Sequence, residues 1–285
     1  MTRSARLAVR HAIVALKPVS DTPELDAELL MAHQLGISRG EYLLTARNIP
    51  EPEGYWDLIK RRLKHEPVAY IVGYQPFWTI DVKVTPGVLI PRSDSETLIE
   101  AAVGHFGPLG PQVILDIGSG PGTLLLAALD EWPRAVGVGI ERSSVARELA
   151  EHNAEVLGLE PRSLWFRRDW NDENWWFGIG GPFDLILCNP PYVEVSAELM
   201  PQVLDYEPHE ALFAGLDGLD DYRKIIPVLP RLLAPKGVAI LEIGWTQAQS
   251  VTQIAKAHGF SVKLFQDLAG LDRALLLQLE ENSRW

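Results

Sequence analysis

From residue 93 onward, short apolar runs alternate with stretches of helical spacing. The runs cover residues 113–117, 135–140, 164–168, 183–188, 238–243, 261–265 and 273–279. Runs of strand length with helical stretches between them predict a mostly parallel seven-stranded sheet covered by helices on both faces. Only residues 266–272 separate the last two runs. That is too short for the crossover a parallel connection needs, so the closing strand is predicted antiparallel.

The first part of the chain follows a different period. Asp26, Ala27, Glu28, Leu29, Leu30, Ala32 and Leu35 have helical spacing, and residues 55–63 resume it after a turn carrying Pro50 and Pro52. At the opening, Leu7, Ala8, Ile13, Val14 and Leu16 fit one face of a helix. Between the two halves, Tyr70, Ile71, Phe77, Trp78, Ile80, Val82 and Val84 are β-formers broken by Gly73, Pro76 and Pro86. The predicted organisation is a small helical domain over residues 1–68, a β-hairpin linker over 69–92 and an α/β domain over 93–285.

Composition narrows the class. Hydrophobic residues are 47% and charged residues 22% of the chain, a globular balance that allows a sizeable core. The single cysteine, Cys188, excludes an intramolecular disulfide and a cysteine-built zinc site, and suits a reducing compartment such as the cytoplasm. Arg3, Arg6 and Arg10 precede the first acid, Asp21, a pattern shared with transit peptides, but an ordinary opening helix fits it better. The apolar run there, residues 12–16, is too short for a signal core or a membrane span, and no membrane association is expected. Net charge is −12 and unevenly placed: residues 1–70 hold ten Lys and Arg against nine Asp and Glu, so the acidic surplus lies in the rest. Gripping nucleic acid requires a cationic footprint, which the α/β part lacks.

Candidate chemistry gathers after the predicted strands. Asp116-Ile117-Gly118-Ser119-Gly120-Pro121-Gly122 lies directly between a strand and a helical stretch. Glycines there permit positive φ and a close ligand approach, and the helix N-terminus offers free N–H groups. Glu141 ends the next strand, where a carboxylate can accept from both hydroxyls of a ribose. Together the turn and the acid point to a bound adenosine. Trp170 follows the third run and either borders the adenine or simply packs among Trp175 and Trp176.

The fourth run leads into Asn189-Pro190-Pro191-Tyr192. An amide or adenine nitrogen is a poor nucleophile because its lone pair is delocalised. Two acceptors, Asn189 Oδ1 and the Pro190 carbonyl, could orient its two N–H bonds, while the prolines stiffen the loop and remove competing donors. Tyr192 could wall or stack on the planar group. The loop by itself leaves the nitrogen open, in protein or nucleic acid. The seven histidines, His11, His33, His65, His105, His152, His209 and His258, show no metal-ligand spacing, and no metal is expected.

These motifs, with Asp26 to Leu30, Glu66 to Gly73, Ile90-Pro91-Arg92, Tyr206-Glu207-Pro208, Ala211-Leu212, Asp217 to Asp220, Glu242-Ile243-Gly244, Asp267 to Gly270 and Asp272-Arg273, resemble the HemK/PrmC family over nearly the whole length. The resemblance implies a Rossmann-like class I methyltransferase domain with a helical substrate-recognition domain. It also implies S-adenosyl-L-methionine as cofactor and, as substrate, the glutamine of the Gly-Gly-Gln motif of class 1 peptide chain release factors. Gly118, Ser119, Gly120, Pro121, Gly122, Glu141, Trp170 and Asn189 would hold the cofactor, and Asn189, Pro190, Pro191 and Tyr192 the glutamine amide. A monomer is expected. Three positions depart from the family pattern: Ser93 and Ser95 stand where proline and threonine are usual, and Glu141 where aspartate is usual. Pro121 also lacks an N–H that the turn could have offered. The rival readings are a ribosomal-protein glutamine methyltransferase, an adenine-N6 nucleic-acid methyltransferase and a non-catalytic adapter.

Overall fold

The computed structural model describes residues 4–46 and 49–280, and Arg3 of the basic opening lies outside them. The chain divides into two units. One comprises residues 1–74 with 199–207, and the other 75–198 with 208–285.

The first unit is helical: α1 (Ala5–Leu16), α2 (Pro23–Leu35), α3 (Arg39–Thr45), α4 (Tyr55–Arg62) and α5 (Val68–Val72). Pro23 opens α2 beside Glu24 and Asp26, and Gly36 closes it in the left-handed region at φ 68°. Each choice suits its end of a helix. The buried face of α1 is Ala5, Ala8, Val9, Ala12 and Leu16. The predicted face is corrected here, because Leu7 and Val14 point outward with 42% and 66% exposure. Small residues won the interior because they let the α1 backbone approach its neighbours closely, which outweighs the hydrophobicity of the larger side chains.

Inside this unit lies a charged pair. Arg62 Nε donates to Asp26 Oδ2 at 2.7 Å, and both residues are buried. Ser20 and Thr22 hydroxyls donate to the same carboxylate at 2.7 and 3.1 Å. Arg62 Nη2 also donates to Gln202 Oε1, in the short helix α9 (Pro201–Leu204), at 3.1 Å, and the Tyr206 hydroxyl donates to the Lys64 carbonyl at 2.8 Å. These bonds account for the membership of residues 199–207 in the helical unit.

The predicted hairpin is shorter than residues 69–92. Its strands are β1 (Tyr74–Phe77) and β2 (Ile80–Lys83), whereas Tyr70 and Ile71, expected extended, lie in α5. Pro67 before that helix and Gly73 after it, at φ 87°, cap a single turn, and Ile71 joins the helical core. Local caps and tertiary packing override the β-preference of these side chains.

The second unit is built on β3 (Val113–Ile117), β4 (Val136–Glu141), β5 (Ser163–Arg167), β6 (Phe183–Cys188), β7 (Leu233–Glu242), β8 (Phe260–Gln266) and β9 (Asp272–Leu279). They form one seven-stranded sheet in the order β5-β4-β3-β6-β7-β9-β8. β3 to β7 pair in parallel, and β9 is antiparallel to both β7 and β8, as predicted. Successive side chains enter opposite cores. Ile114, Leu185, Leu187 and Ile240 pack with α6 (Glu96–Phe106), α7 (Thr123–Glu131) and the end of α8 (Ser144–Val156). Leu115, Ile186, Cys188 and Leu241 pack with α10 (Asp220–Ile225), α11 (Leu229–Leu232) and α12 (Ala248–Ala257). The sheet is therefore doubly wound, and β3, β4, β6 and β7 send their C-terminal ends to the same edge.

Removing Arg62 would strip a buried carboxylate of its countercharge while leaving two hydroxyl donors, a loss worth about 3 kcal/mol. Arg62→Ala should accordingly lower the stability of the helical unit in urea unfolding followed by tyrosine and tryptophan fluorescence. An unchanged midpoint would show that the pair contributes nothing net.

Candidate active site at the carboxyl edge of the sheet

The parallel register sets the site's frame. Ile117 stands beside Ile140 on one side and Cys188 on the other, and Cys188 stands beside Leu241. The glycine turn, Glu141, Asn189 and Glu242 thus leave neighbouring strands together.

The turn is held from two directions. Gly118 and Ser119 N–H groups both donate to the Ile140 carbonyl at 2.9 and 3.0 Å. Gly118 has φ 74°, and a Cβ there would lie 3.0 Å from the Trp170 ring, so glycine is required on both counts. Gly120, at φ 55°, faces open space, since a Cβ there would meet no atom within 4 Å. Around this opening, Asp116 Oδ1, Ser119 Oγ and Thr123 Oγ1 are buried without hydrogen-bond partners. Orphaned polar atoms at an open glycine turn suit a polar ligand. Pro121 is buried, and its carbonyl accepts from Asn153 Nδ2 at 2.9 Å.

Glu141 does not simply project from its strand. Its Oε2 accepts from Gly120 N–H at 2.9 Å and its Oε1 from Ser143 N–H at 2.7 Å. The carboxylate braces the turn and retains lone pairs on each oxygen for further donors. Trp170 is half-buried, and its indole N–H donates to Asp221 Oδ1 at 2.9 Å, fixing the ring against Gly118. Trp175 is buried in the core, so it belongs to packing.

In the Asn-Pro-Pro-Tyr loop, Pro190 and Pro191 are buried while Asn189 and Tyr192 are half-buried. Asn189 Nδ2 donates to Ser95 Oγ at 3.2 Å, which turns Oδ1 the other way. The Tyr192 hydroxyl donates to Glu242 Oε1 at 3.1 Å, and its backbone carbonyl accepts from Gln247 Nε2 at 3.0 Å. With its hydroxyl so engaged, Tyr192 offers only its ring to a ligand. Cys188 is fully buried in the apolar core, and burial pushes its thiol well above the ordinary range, which removes it as a nucleophile. Among the described residues no group of His, Cys, Asp or Glu could hold a metal ion.

Several site residues were not singled out in the sequence as ligands or supports. Ser95, Asp221 and Glu242 each support a predicted residue, and Asp116 begins the glycine motif without having been assigned a role. Glu242 and Asp221 lay in or beside segments of the family pattern, so a signal existed, but only the fold shows what each touches. Glu242 is fully buried, and burial raises its pKa to about 7 against the opposing effects of Ser95, Tyr192 and Arg273, with Asp94 raising it further. Ser95 is near enough to favour the ionised form, and Glu242 Oε2 is buried without a hydrogen-bond partner. Asp116 is likewise raised to about 7 by burial, opposed by the Leu125 N–H and reinforced by the charge of Glu141.

The chain matches the model of the PrmC N-terminal domain over residues 8–73 and that of the methyltransferase small domain over residues 95–205. It is 40% identical to the release factor glutamine methyltransferase of Rhodospirillum rubrum, over 90% of this chain and 79% of that one. It is 37% identical to the enzyme of the same name from Caulobacter vibrioides, over 90% and 89%. Its fold is similar to a methyltransferase from Pyrococcus furiosus, with TM-score 0.51 and 20% identity over 70% of this chain and 88% of that one.

The raised pKa of Asp116 has a direct consequence for stability. The fold holds this proton more tightly than the unfolded chain does, so the native state is favoured below about pH 4 and loses that advantage as pH rises toward 7. Asp116→Asn should flatten the decline in stability between pH 4 and pH 7 by about 2 kcal/mol, after discounting for relaxation around the charge. Thermal unfolding of both proteins across that range checks it, and parallel pH profiles would contradict it.

Proposed function

Because the chain belongs to the release factor glutamine methyltransferase family, we propose that it transfers a methyl group to the side-chain nitrogen (N5) of the glutamine in the Gly-Gly-Gln motif of class 1 peptide chain release factors. Its fold is that of the class I methyltransferases and its cofactor is S-adenosyl-L-methionine. The observation that carries the reading is the orientation of Asn189, whose Nδ2 is taken by Ser95 and whose Oδ1 is thereby left for a donor outside the protein.

S-adenosyl-L-methionine supplies a methyl group activated by its sulfonium charge. The residues assigned to hold it are Gly118, Ser119, Gly120, Pro121, Gly122, Glu141, Trp170 and Asn189. The open face at Gly120, the orphaned polar atoms around it and the lone pairs left on Glu141 are consistent with an adenosine carrying a polar tail. In this reading Glu141 accepts the ribose hydroxyls while its existing bonds to Gly120 and Ser143 hold it still. Trp170, clamped by Asp221, borders the adenine.

Asn189 Oδ1 and the Pro190 carbonyl accept the two N–H bonds of the glutamine amide and turn its nitrogen toward the methyl group. As the N–C bond forms, positive charge develops on the nitrogen, and two fixed acceptors stabilise it at little reorganisation cost. Pro191 keeps the loop from satisfying its own acceptors, and the Tyr192 ring walls the planar amide. The amide proton passes to water. Positioning and electrostatics carry the catalysis, with no strong general base.

The helical domain over residues 1–68 is the proposed recognition element for the release factor, the segment 69–92 joins it to the catalytic part, and residues 93–285 carry the chemistry. The acidic surplus outside residues 1–70 supports a protein substrate without direct nucleic-acid contact. Among the described residues no helix is long and apolar enough to cross a membrane. A cytoplasmic monomer suits this role.

Transfer of labelled methyl to purified release factor, with DNA and ribosomal protein as controls, tests the substrate. Asn189→Ala should lower kcat by about 100-fold or more, the scale for losing one preorganised polar partner of a transition state. Near-normal transfer by this variant would remove Asn189 from the mechanism.

A further inference from the structure

Asn189 can serve an amide substrate only if its side chain shows oxygen, not nitrogen, to the N–H bonds. The two ends of a carboxamide have nearly the same shape, so this choice must be made by its partners. The partner here is Ser95 Oγ, which accepts from Asn189 Nδ2 at 3.2 Å. A hydroxyl, however, can also donate. If its proton pointed at Asn189, the amide would be favoured the other way round.

Two features bear on where that proton goes. Ser95 occupies the N-cap of α6, where a serine ordinarily accepts from the first-turn N–H groups, yet it makes no capping bond. It is 3% exposed, so water does not compete for it. Glu242, 1% exposed, is near enough to Ser95 for that side chain to favour its ionised form; its Oε1 accepts from the Tyr192 hydroxyl and its Oε2 has no hydrogen-bond partner. In its ionised form Glu242 can only accept, and a carboxylate next to a buried hydroxyl draws the hydroxyl proton. The strand register explains the meeting: Cys188 and Leu241 are paired and share one face, so Asn189 and Glu242, each one residue further, both turn to the α6 face where Ser95 sits.

We propose that Glu242 is a positioning residue for the methyl transfer, drawing the Ser95 proton so that Ser95 accepts from Asn189 and Asn189 presents Oδ1 to the substrate amide. The same carboxylate holds the Tyr192 hydroxyl, so one buried acid sets both ends of the Asn-Pro-Pro-Tyr loop. An amide at position 242 could donate to Ser95 Oγ, send the hydroxyl proton toward Asn189 and reverse the carboxamide, with almost no change in volume. The assignment rests on the glutamine methyltransferase reading above.

The experiment compares wild type, Glu242→Gln, Ser95→Ala and Ser95→Thr in transfer of labelled methyl to release factor, with S-adenosylhomocysteine affinity measured calorimetrically. Transfer by the wild type first checks the underlying reading on its own, and its failure would be a failure of that reading. Given wild-type transfer, Glu242→Gln and Ser95→Ala should each lose roughly 10- to 100-fold in kcat, the range for a misplaced reacting group. KM and S-adenosylhomocysteine affinity should stay within about threefold, the split that marks an interaction made in the transition state. Ser95→Thr, which restores the hydroxyl, should recover most of the rate lost in Ser95→Ala. Rates within threefold of wild type in both Glu242→Gln and Ser95→Ala overturn the assignment. So does an equal deficit in the threonine and alanine variants, because packing alone would then explain the loss.

Discussion

Continuous parallel register at the C-terminal ends of β3, β4, β6 and β7, restored in β6 and β7 after an irregularity between Phe183 and Leu185, is the constraint on which the site depends. Each of these strands ends within one residue of the same line, because Ile117 lies beside both Ile140 and Cys188, and Cys188 lies beside Leu241. A one-residue slip would send every side chain to the opposite face and carry Asn189 away from Ser95. Apolar side chains on both faces resist such a slip, since alternate residues of each strand are committed to different cores. The hydrophobic effect therefore does more than close the domain. It fixes where four polar strand ends emerge, and so what chemistry they share.

Polar order at that edge is maintained by a few partly buried bonds with one purpose each. Glu141 clamps Gly120 and Ser143, Asp221 clamps Trp170, and Glu242 clamps Tyr192. In each case a carboxylate accepts from a group that would otherwise be free to turn. Burial makes such acids costly, as the raised pKa values of Asp116 and Glu242 record. A fold retains that cost where a fixed orientation is needed, and transfer to a weakly nucleophilic amide is such a case. Stability given up around the site is returned as preorganisation.

The helical unit solves a different problem with the same material. Its α1 face of alanines brings backbones close, and the buried Arg62–Asp26 pair takes its further hydrogen bonds from Ser20, Thr22 and Gln202, with Arg62 Nη1 left unpartnered. Gln202 lies more than a hundred residues away in the sequence, beyond the Asn-Pro-Pro-Tyr loop. A segment that belongs to the catalytic half by sequence thus belongs to the helical unit by contact.

The order of strands along the chain, the antiparallel closing strand, the glycine turn, Glu141 and the Asn-Pro-Pro-Tyr loop were legible in the sequence, because hydrophobic period and turn chemistry are local properties. So was the family, because its motifs recur in order along the chain. Less local features were not. The exposed Leu7 and Val14 and the helical Tyr70 and Ile71 were misassigned because tertiary packing outweighed local preference. Likewise, no spacing rule links Ser95 to Asn189 or Tyr192 to Glu242, which are separated by 94 and 50 positions. The sequence determined which groups are available at the end of each strand. Only the tertiary structure decided which way they face, because direction is set by partners that the sheet register brings together.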